Sequence, residues 1–324
     1  MLKGVLAEIK AALDGSGLCV VLGGSYGRGD GGVRQDRENG IFYNDLDFFV
    51  FARKKPGHAE ALLKEIAGKY EEMLKVDVDF SRVMSVKDIV SNAPRLMMQE
   101  LKRGYYPVCG KDLLAEYLPE LPEEKLPFSE ACRLLLNRGM GLWMAGAGIA
   151  EKSSDTDFIM RNIYKAILGA GDAMLIADKK YSWLLSGRLE KINSSPLPEE
   201  WKQFYREAVE FKHAPHRQPK ADMGEFCSRV REFFLAAMLY CAGAENGDDL
   251  AEQLYKRSAE NGDISLKNLV KYCVKSRTLQ LKNRRFYSMP AVAVLLIDLY
   301  TVLLERAGKL DRQSKLYRQW LIFN

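Results

Sequence analysis

The stretch "VVLGGSYGRGD", residues 20–30, closes an apolar run with two adjacent glycines, a serine and two further glycines. A strand that runs into glycine exposes its backbone to close approach, and the turn is free to use φ values that other residues avoid. Such a turn either directs main-chain N–H groups at an anion, with phosphate the natural guest, or serves tight packing alone. The stretch by itself leaves both readings open.

Its neighbours narrow the choice. In "YNDLDFFVF" (43–51), Asp45 and Asp47 flank Leu46 with period two. On a strand both carboxylates share one face, and Leu46 and Phe48 point to the other. Adjacent like charges repel, and a divalent cation between them relieves the repulsion. Asp77 and Asp79 in "KVDVDF" (75–80) repeat the arrangement. A solvated strand face explains one such pair more easily than two pairs that follow a glycine-serine turn.

The surrounding pattern sets the fold class. "LCVVL" (18–22), "LDFFVF" (46–51) and "KVDVDF" (75–80) read as short strands, and "HAEALLKEIAGKYEEML" between them reads as a helix. "VKDIVSNAP" and "PRLMMQELKRG" also read as helices, and "YYPVCGKDLL" as a brief edge strand followed by a turn of helix. "LPELPEEKLPFSE" has the proline content of a linker. Beyond it, helical spacing recurs over about 129–150, 155–178, 198–212, 222–243, 247–260, 265–282 and 289–308. The expectation is an α+β protein in which a small mixed sheet domain, 1–117, precedes an all-helical bundle domain, 118–324.

Taken together, Gly24-Ser25 after a strand, Asp45-Leu46-Asp47 on the next strand and Val76-Asp77-Val78 on a neighbouring one resemble the signature of the polymerase-beta-like nucleotidyltransferase superfamily. The chain looks like a bacterial member with a helical C-terminal domain. The resemblance covers about residues 15–115. It departs from the pattern in the 20 residues that separate Ser25 from Asp45, where "DGGVRQDRENGIFYN" forms a polar insertion with the character of a flap. It is also ambiguous at the third carboxylate, where the family pattern favours Asp77 and leaves Asp79 as second choice.

The resemblance implies Mg²⁺-dependent transfer of an NMP unit from an NTP such as ATP to an acceptor hydroxyl. The acidic set Asp45, Asp47, Asp77 and Asp79 would carry the catalysis, with two Mg²⁺ ions held by Asp45, Asp47 and Asp77. Gly23, Gly24 and Ser25 would contact the triphosphate, with Arg28 either neutralising its charge or standing as an exposed helix residue. In "RNIYKAILGAGDAMLIAD" (161–178), Arg161, Lys165 and Asp172 lie near one helical face. They form an ion-paired or solvated stripe, or else Lys165 reaches the triphosphate, as basic residues from helical domains of the superfamily often do.

Other readings stay open. Residues 264–297 hold Lys267, Lys271, Lys275, Arg277, Lys282, Arg284 and Arg285 without an acidic residue, interleaved with Tyr272, Phe286 and Tyr287. Such a run follows a nucleic-acid backbone or is a solvated helix face. The acceptor is therefore a small molecule on the leading reading, with RNA or a protein as alternatives. A non-catalytic nucleotide-binding or toxin-antitoxin-like interaction module is the rival of a different class.

Composition bounds these choices. The 324 residues are enough for two cores. A net charge of +5 on 48 basic and 43 acidic side chains gives little long-range pull on polyanions. Six cysteines without metal spacing suit a reducing, cytoplasmic setting. The histidines His58, His213 and His216 fit no zinc pattern. Lys3, Glu8 and Lys10 interrupt the first apolar segment, so neither a signal peptide nor a membrane partner is expected. Oligomeric state is not encoded in any of these features.

Overall fold

The structure, a computed structural model, describes residues 2–29, 31–34, 41–43, 45–54, 59–216, 219–276, 284–305 and 314–323. Most of the polar insertion before Asp45, His58, and Arg277 and Lys282 of the basic segment lie outside the described residues. The chain is α+β, with a small mixed sheet and many helices. It divides into two compact units. The first comprises residues 1–122 together with 210–216, and the second comprises 123–209 with 217–324. The division falls at Pro122, inside the proline-rich segment and five residues beyond the expected boundary. The return of 210–216 to the first unit has no counterpart in the expected domain limits.

The first unit runs α1 (Leu2–Ala12), β1 (Cys19–Leu22), α2 (Gly24–Arg28), β2 (Val33–Arg34), β3 (Ile41–Phe42), β4 (Leu46–Ala52) and α3 (Ala59–Leu74). It continues with β5 (Val78–Phe80), β6 (Met84–Ser85), α4 (Val86–Ser91), α5 (Leu96–Arg103), β7 (Tyr106–Cys109) and α6 (Leu113–Tyr117). The main sheet has the order β5-β4-β1-β7, with β6 also pairing with β4. β1 is antiparallel to β4 and β7, and β4 is parallel to β5 and β6. β2 and β3 form a separate antiparallel pair within the polar insertion.

Alternation along the strands builds two cores, one on each face. Leu46, Phe48, Val50 and Ala52 of β4 join Val20, Leu22, Val78 and Val108 under α1 and α3. Helix α3 offers Ala59, Leu63, Ile66, Tyr70 and Leu74 to that core at spacings of three and four, and it ends where Lys75 turns to φ 57°. On the opposite face, Cys19, Val21 and Phe51 pack with Ile89, Met98, Leu101 and Leu114 from α4, α5 and α6. Helix α4 starts with a capping box in which Ser85 and Asp88 satisfy each other's backbone N–H groups.

Among its described residues the second unit contains helices and no strands. They are α7 (Phe128–Ala150), α8 (Thr156–Ala177), α9 (Leu185–Asn193), α10 (Glu199–His213, whose end groups with the first unit), α11 (Met223–Ala242), α12 (Leu250–Glu260), α13 (Leu266–Ser276), α14 (Ala291–Leu304) and α15 (Lys315–Phe323). α9 and α15 were not expected from the sequence. α7 and α8 pack closely because glycines on each helix make room for larger side chains of the other. A Cβ on Gly141 would meet Asn162 Oδ1 at 2.5 Å, and one on Gly169 would collide with Arg138. Asp172, in the apolar stretch of α8, accepts from the Tyr205 hydroxyl at 2.6 Å and pairs with Arg188 at 3.5 Å. That pairing answers the cost of placing a carboxylate there.

The β4 core can be tested at Phe48, which is fully buried and stacks on Phe80 at 4.8 Å between ring centroids. Phe48→Ala is expected to cost about 3–5 kcal/mol. Native-state hydrogen exchange at the β1 and β4 amides should accelerate roughly 10²-fold or more. Unchanged exchange would contradict this packing.

Candidate active site

Antiparallel pairing of β1 with β4 sets Leu22 opposite Phe48, so the exit of β1 lies beside the entry of β4. The Gly23 N–H continues the ladder and donates to the Asp47 carbonyl at 2.8 Å. The glycines at this exit are required first by the protein's own side chains. A Cβ on Gly23 would press into the Phe49 ring and Leu101. Gly24 has φ +59°, and a Cβ there would fall on the Asp47 carboxylate oxygen. The glycine turn and the D-x-D strand are therefore one packed unit.

The second carboxylate strand is placed by register. In the parallel pair Leu46 lies opposite Val78 and Asp47 opposite Asp79, and the Leu46 N–H donates to the Asp77 carbonyl at 2.9 Å. Leu46 and Val78 enter the α1/α3 core, which leaves Asp47 and Asp79 on the other face. Ser81 extends the pairing, its N–H donating to the Phe48 carbonyl at 2.8 Å and its hydroxyl accepting from the Val50 N–H at 3.0 Å. Asp45 and Asp47 are partly buried, whereas Asp77 and Asp79 are solvent-exposed at the sheet end.

Electrostatics single out Asp79. Although Asp79 is exposed overall, partial desolvation of its carboxyl raises its pKa above the ordinary carboxylate value, and repulsion from Asp45, Asp77 and Glu71 adds to the rise. Glu71, at the end of α3, accepts from the Val78 N–H at 3.3 Å and so brings a further carboxylate to the start of β5. Its part was not apparent in the sequence, because helical spacing does not reveal which strand a helix end will cap.

The remaining sequence-derived residues are placed differently. Ser25 lies in the first turn of α2. Arg28, at the other end of α2, lies along Gly104 and pairs with Glu100 of α5 at 3.9 Å, so its guanidinium is directed toward α5. Lys165 lies exposed on α8 of the second unit, while Arg161 pairs with Asp157 at 3.7 Å and Asp172 is taken up by Tyr205 and Arg188.

Tyr26, which was not singled out in the sequence, ties the polar insertion to this site. Its hydroxyl donates to the Gly32 carbonyl at 2.7 Å and accepts from the Tyr43 N–H at 2.9 Å, so one phenol bridges both ends of the excursion. Its ring meets Phe42 edge-on at 5.1 Å. Tyr43 in turn packs on Phe211, and Gly32 lies against Pro215, both from the 210–216 segment of the same unit. Tyr43 is two residues from Asp45. The bridge therefore fixes where the first carboxylate enters the sheet.

Chemically, the site offers hard oxygen donors on one face of two paired strands. Among the described residues, no three acidic, imidazole or thiol groups gather closely enough to hold a metal ion between them. Mg²⁺ does not require three, because it commonly keeps several waters and is held by one or two carboxylates plus substrate phosphates. The donor set fits that mode. No family model matches the chain, and neither a curated protein nor a solved structure is significantly similar to it.

Two outcomes follow from this geometry. A carboxyl with a raised folded-state pKa holds protons longer in the folded than in the unfolded chain, so stability falls as pH climbs from the unfolded carboxylate value through the raised one. Asp79→Asn should then raise Tm at pH 7 by about 1–3 °C, the effect being limited by solvent screening. The gain should vanish below about pH 4, and a loss of stability at neutral pH would contradict the assignment. Gly24→Ala should destabilise by more than about 1 kcal/mol in chemical denaturation, because it adds backbone strain to the clash with Asp47. A neutral Gly24→Ala would mean that the turn does not adopt this conformation.

Proposed function

We propose that the first unit is the catalytic domain of a nucleotidyltransferase that moves an NMP group from an NTP to a hydroxyl of a small-molecule acceptor. The observation that carries this reading is the parallel β4–β5 register, which sets Asp79 opposite Asp47 on one sheet face, beside a glycine-serine turn shaped around Asp47. A purely structural surface gains nothing from like charges opposite one another on paired strands. A site that must hold cations and a triphosphate requires such charges.

Asp47, with Asp45 or Asp79 beside it, would hold Mg²⁺, and Asp79 fits the remaining carboxylate position better than Asp77 because it lies within β5 as the register partner of Asp47. When bound, Mg²⁺ supplies charge neutralisation to the triphosphate and to the departing pyrophosphate. In the transfer, the acceptor oxygen forms a bond to the α-phosphorus as the bond to the bridging oxygen breaks, and pyrophosphate leaves with that electron pair. The acceptor's proton would pass to a carboxylate oxygen of Asp79, which shares the sheet face of Asp47. Ser25 and the amides that follow Gly24 line the place where the β- and γ-phosphates would be held. Arg28 supports this wall through α5, and a role for Lys165 in holding the triphosphate stays within the proposal.

A small acceptor is favoured over RNA by the basic segment. Tyr272 is fully buried, and Phe286 packs edge-on against Tyr255 at 6.0 Å, so these rings do not form a platform for bases.

Incubation with each α-labelled NTP, Mg²⁺ and a mixture of hydroxylated metabolites should label a small molecule. Asp47→Asn should reduce the transfer roughly 10²-fold or more while leaving the protein folded. Labelling that survives in Asp47→Asn, or no Mg²⁺-dependent thermal protection by any NTP, would overturn the reading.

A further inference from the structure

The basic segment has a second side that its sequence does not reveal. The inward face of α13 is fixed by a stack of three rings, with Tyr272 between Tyr287 at 4.9 Å and Phe323 at 5.4 Å, the planes within 10° and 7° of parallel. The Tyr272 hydroxyl donates to Gln319 at 3.2 Å. The Asn268 amide donates to the carbonyls of Asp263 at 2.7 Å and Ser288 at 3.1 Å. The helix is thus held in one orientation.

Its outward face carries two adjacent rows. Leu266, Val270 and Val274 are 73%, 54% and 71% exposed. Each is followed by an exposed lysine, namely Lys267, Lys271 and Lys275, the last with its ammonium 5.7 Å from the Phe323 ring centroid, and the helix has no acidic residue. Spacing of four along a helix makes the aliphatic row an unbroken ridge of about 12 Å. Single exposed apolar residues are ordinary, but a ridge of three on one rigid helix is a contiguous patch.

We propose that this face of α13 docks an acidic amphipathic helix of another protein, with the aliphatic ridge seated in the partner helix's apolar groove and the lysine row against its carboxylates. Charge selects this occupant. An isologous α13–α13 contact between two copies of the chain would bring no carboxylate to either lysine row, because α13 has none. A ridge one residue wide and lacking aromatics is too narrow for a helix lying in a bilayer interface, which buries a broad face with Trp, Phe and Leu. Nucleic acid would use the lysines but gain nothing from an aliphatic row. A helix with opposite charge satisfies both rows, and the fixed orientation of α13 limits the entropy lost on docking. This surface is independent of the proposed catalysis.

The test uses the full chain and a fluorescein-labelled helical peptide with leucines at spacing four flanked by glutamates, alongside the same peptide with lysines for glutamates. Fluorescence anisotropy should show the acidic peptide bound roughly tenfold or more tightly than the basic one. The combined substitutions Lys267→Glu, Lys271→Glu and Lys275→Glu should reverse that preference. Leu266→Ser, Val270→Ser and Val274→Ser together should weaken acidic-peptide binding roughly tenfold with Tm unchanged, since all three side chains are exposed. Equal affinity for the two peptides, or no binding to either, would overturn the proposal. So would displacement of the acidic peptide by phosphatidylserine vesicles or by oligouridine, or a dimer in sedimentation that the serine substitutions dissociate.

Discussion

The chemistry proposed for this protein depends on one register. β4 runs parallel to β5 with Leu46 opposite Val78, and that pairing alone sets Asp47 opposite Asp79. A slip of one residue would turn Leu46, Phe48 and Val50 out of the α1/α3 core and drive carboxylates into it, an exchange the fold does not tolerate. The hydrophobic pattern therefore enforces the electrostatic one. Apolar burial on one face pays for like charges held together on the other, which is the stored unfavourable interaction expected where a cation and a polyphosphate are to be bound.

The turn after β1 reads differently once packed. Three glycines within five residues suggest a bare backbone awaiting phosphate, yet the first approaches are internal. Phe49 and Leu101 crowd Gly23, and the Asp47 carboxylate occupies the space where a Cβ of Gly24 would lie. The Gly23 N–H is spent on the sheet. This does not oppose a ligand role for the turn, because the side chain that demands glycine is itself the candidate cation ligand. It ties the shape of the turn to the position of the carboxylate, so that neither changes without the other. Tyr26 extends the same coupling to the insertion by bridging Gly32 and Tyr43 with a single hydroxyl.

Much of this was legible in the sequence because it is written in short periods. Period-two alternation at Asp45 and Asp47, and again at Asp77 and Asp79, marked the carboxylate pairs, of which Asp47 and Asp79 lie within β4 and β5, and helical spacing located α3, α7, α8 and α11 to within a few residues. What the sequence did not contain was choice between equivalent patterns. Asp77 and Asp79 are alike in a strand read alone, and only the register against β4 separates them. On α13 two apolar rows compete, Leu269, Tyr272 and Cys273 against Leu266, Val270 and Val274, and the ring stack with Tyr287 and Phe323 decides which is inward. β6, two residues long, and α9, nine residues long, carry too little periodicity to be seen in advance. The clamp by Tyr26 and the return of 210–216 to the first unit are long-range contacts for which no local signal exists.

The most direct test of the central claim is the location of a divalent cation. Crystals grown with Mn²⁺ and a non-hydrolysable NTP analogue should give an anomalous peak about 2.1–2.2 Å from a carboxylate oxygen of Asp47, with Asp45 or Asp79 as a second ligand and triphosphate oxygens completing the shell. A triphosphate bound elsewhere, or a cation site that excludes Asp47, would contradict the account.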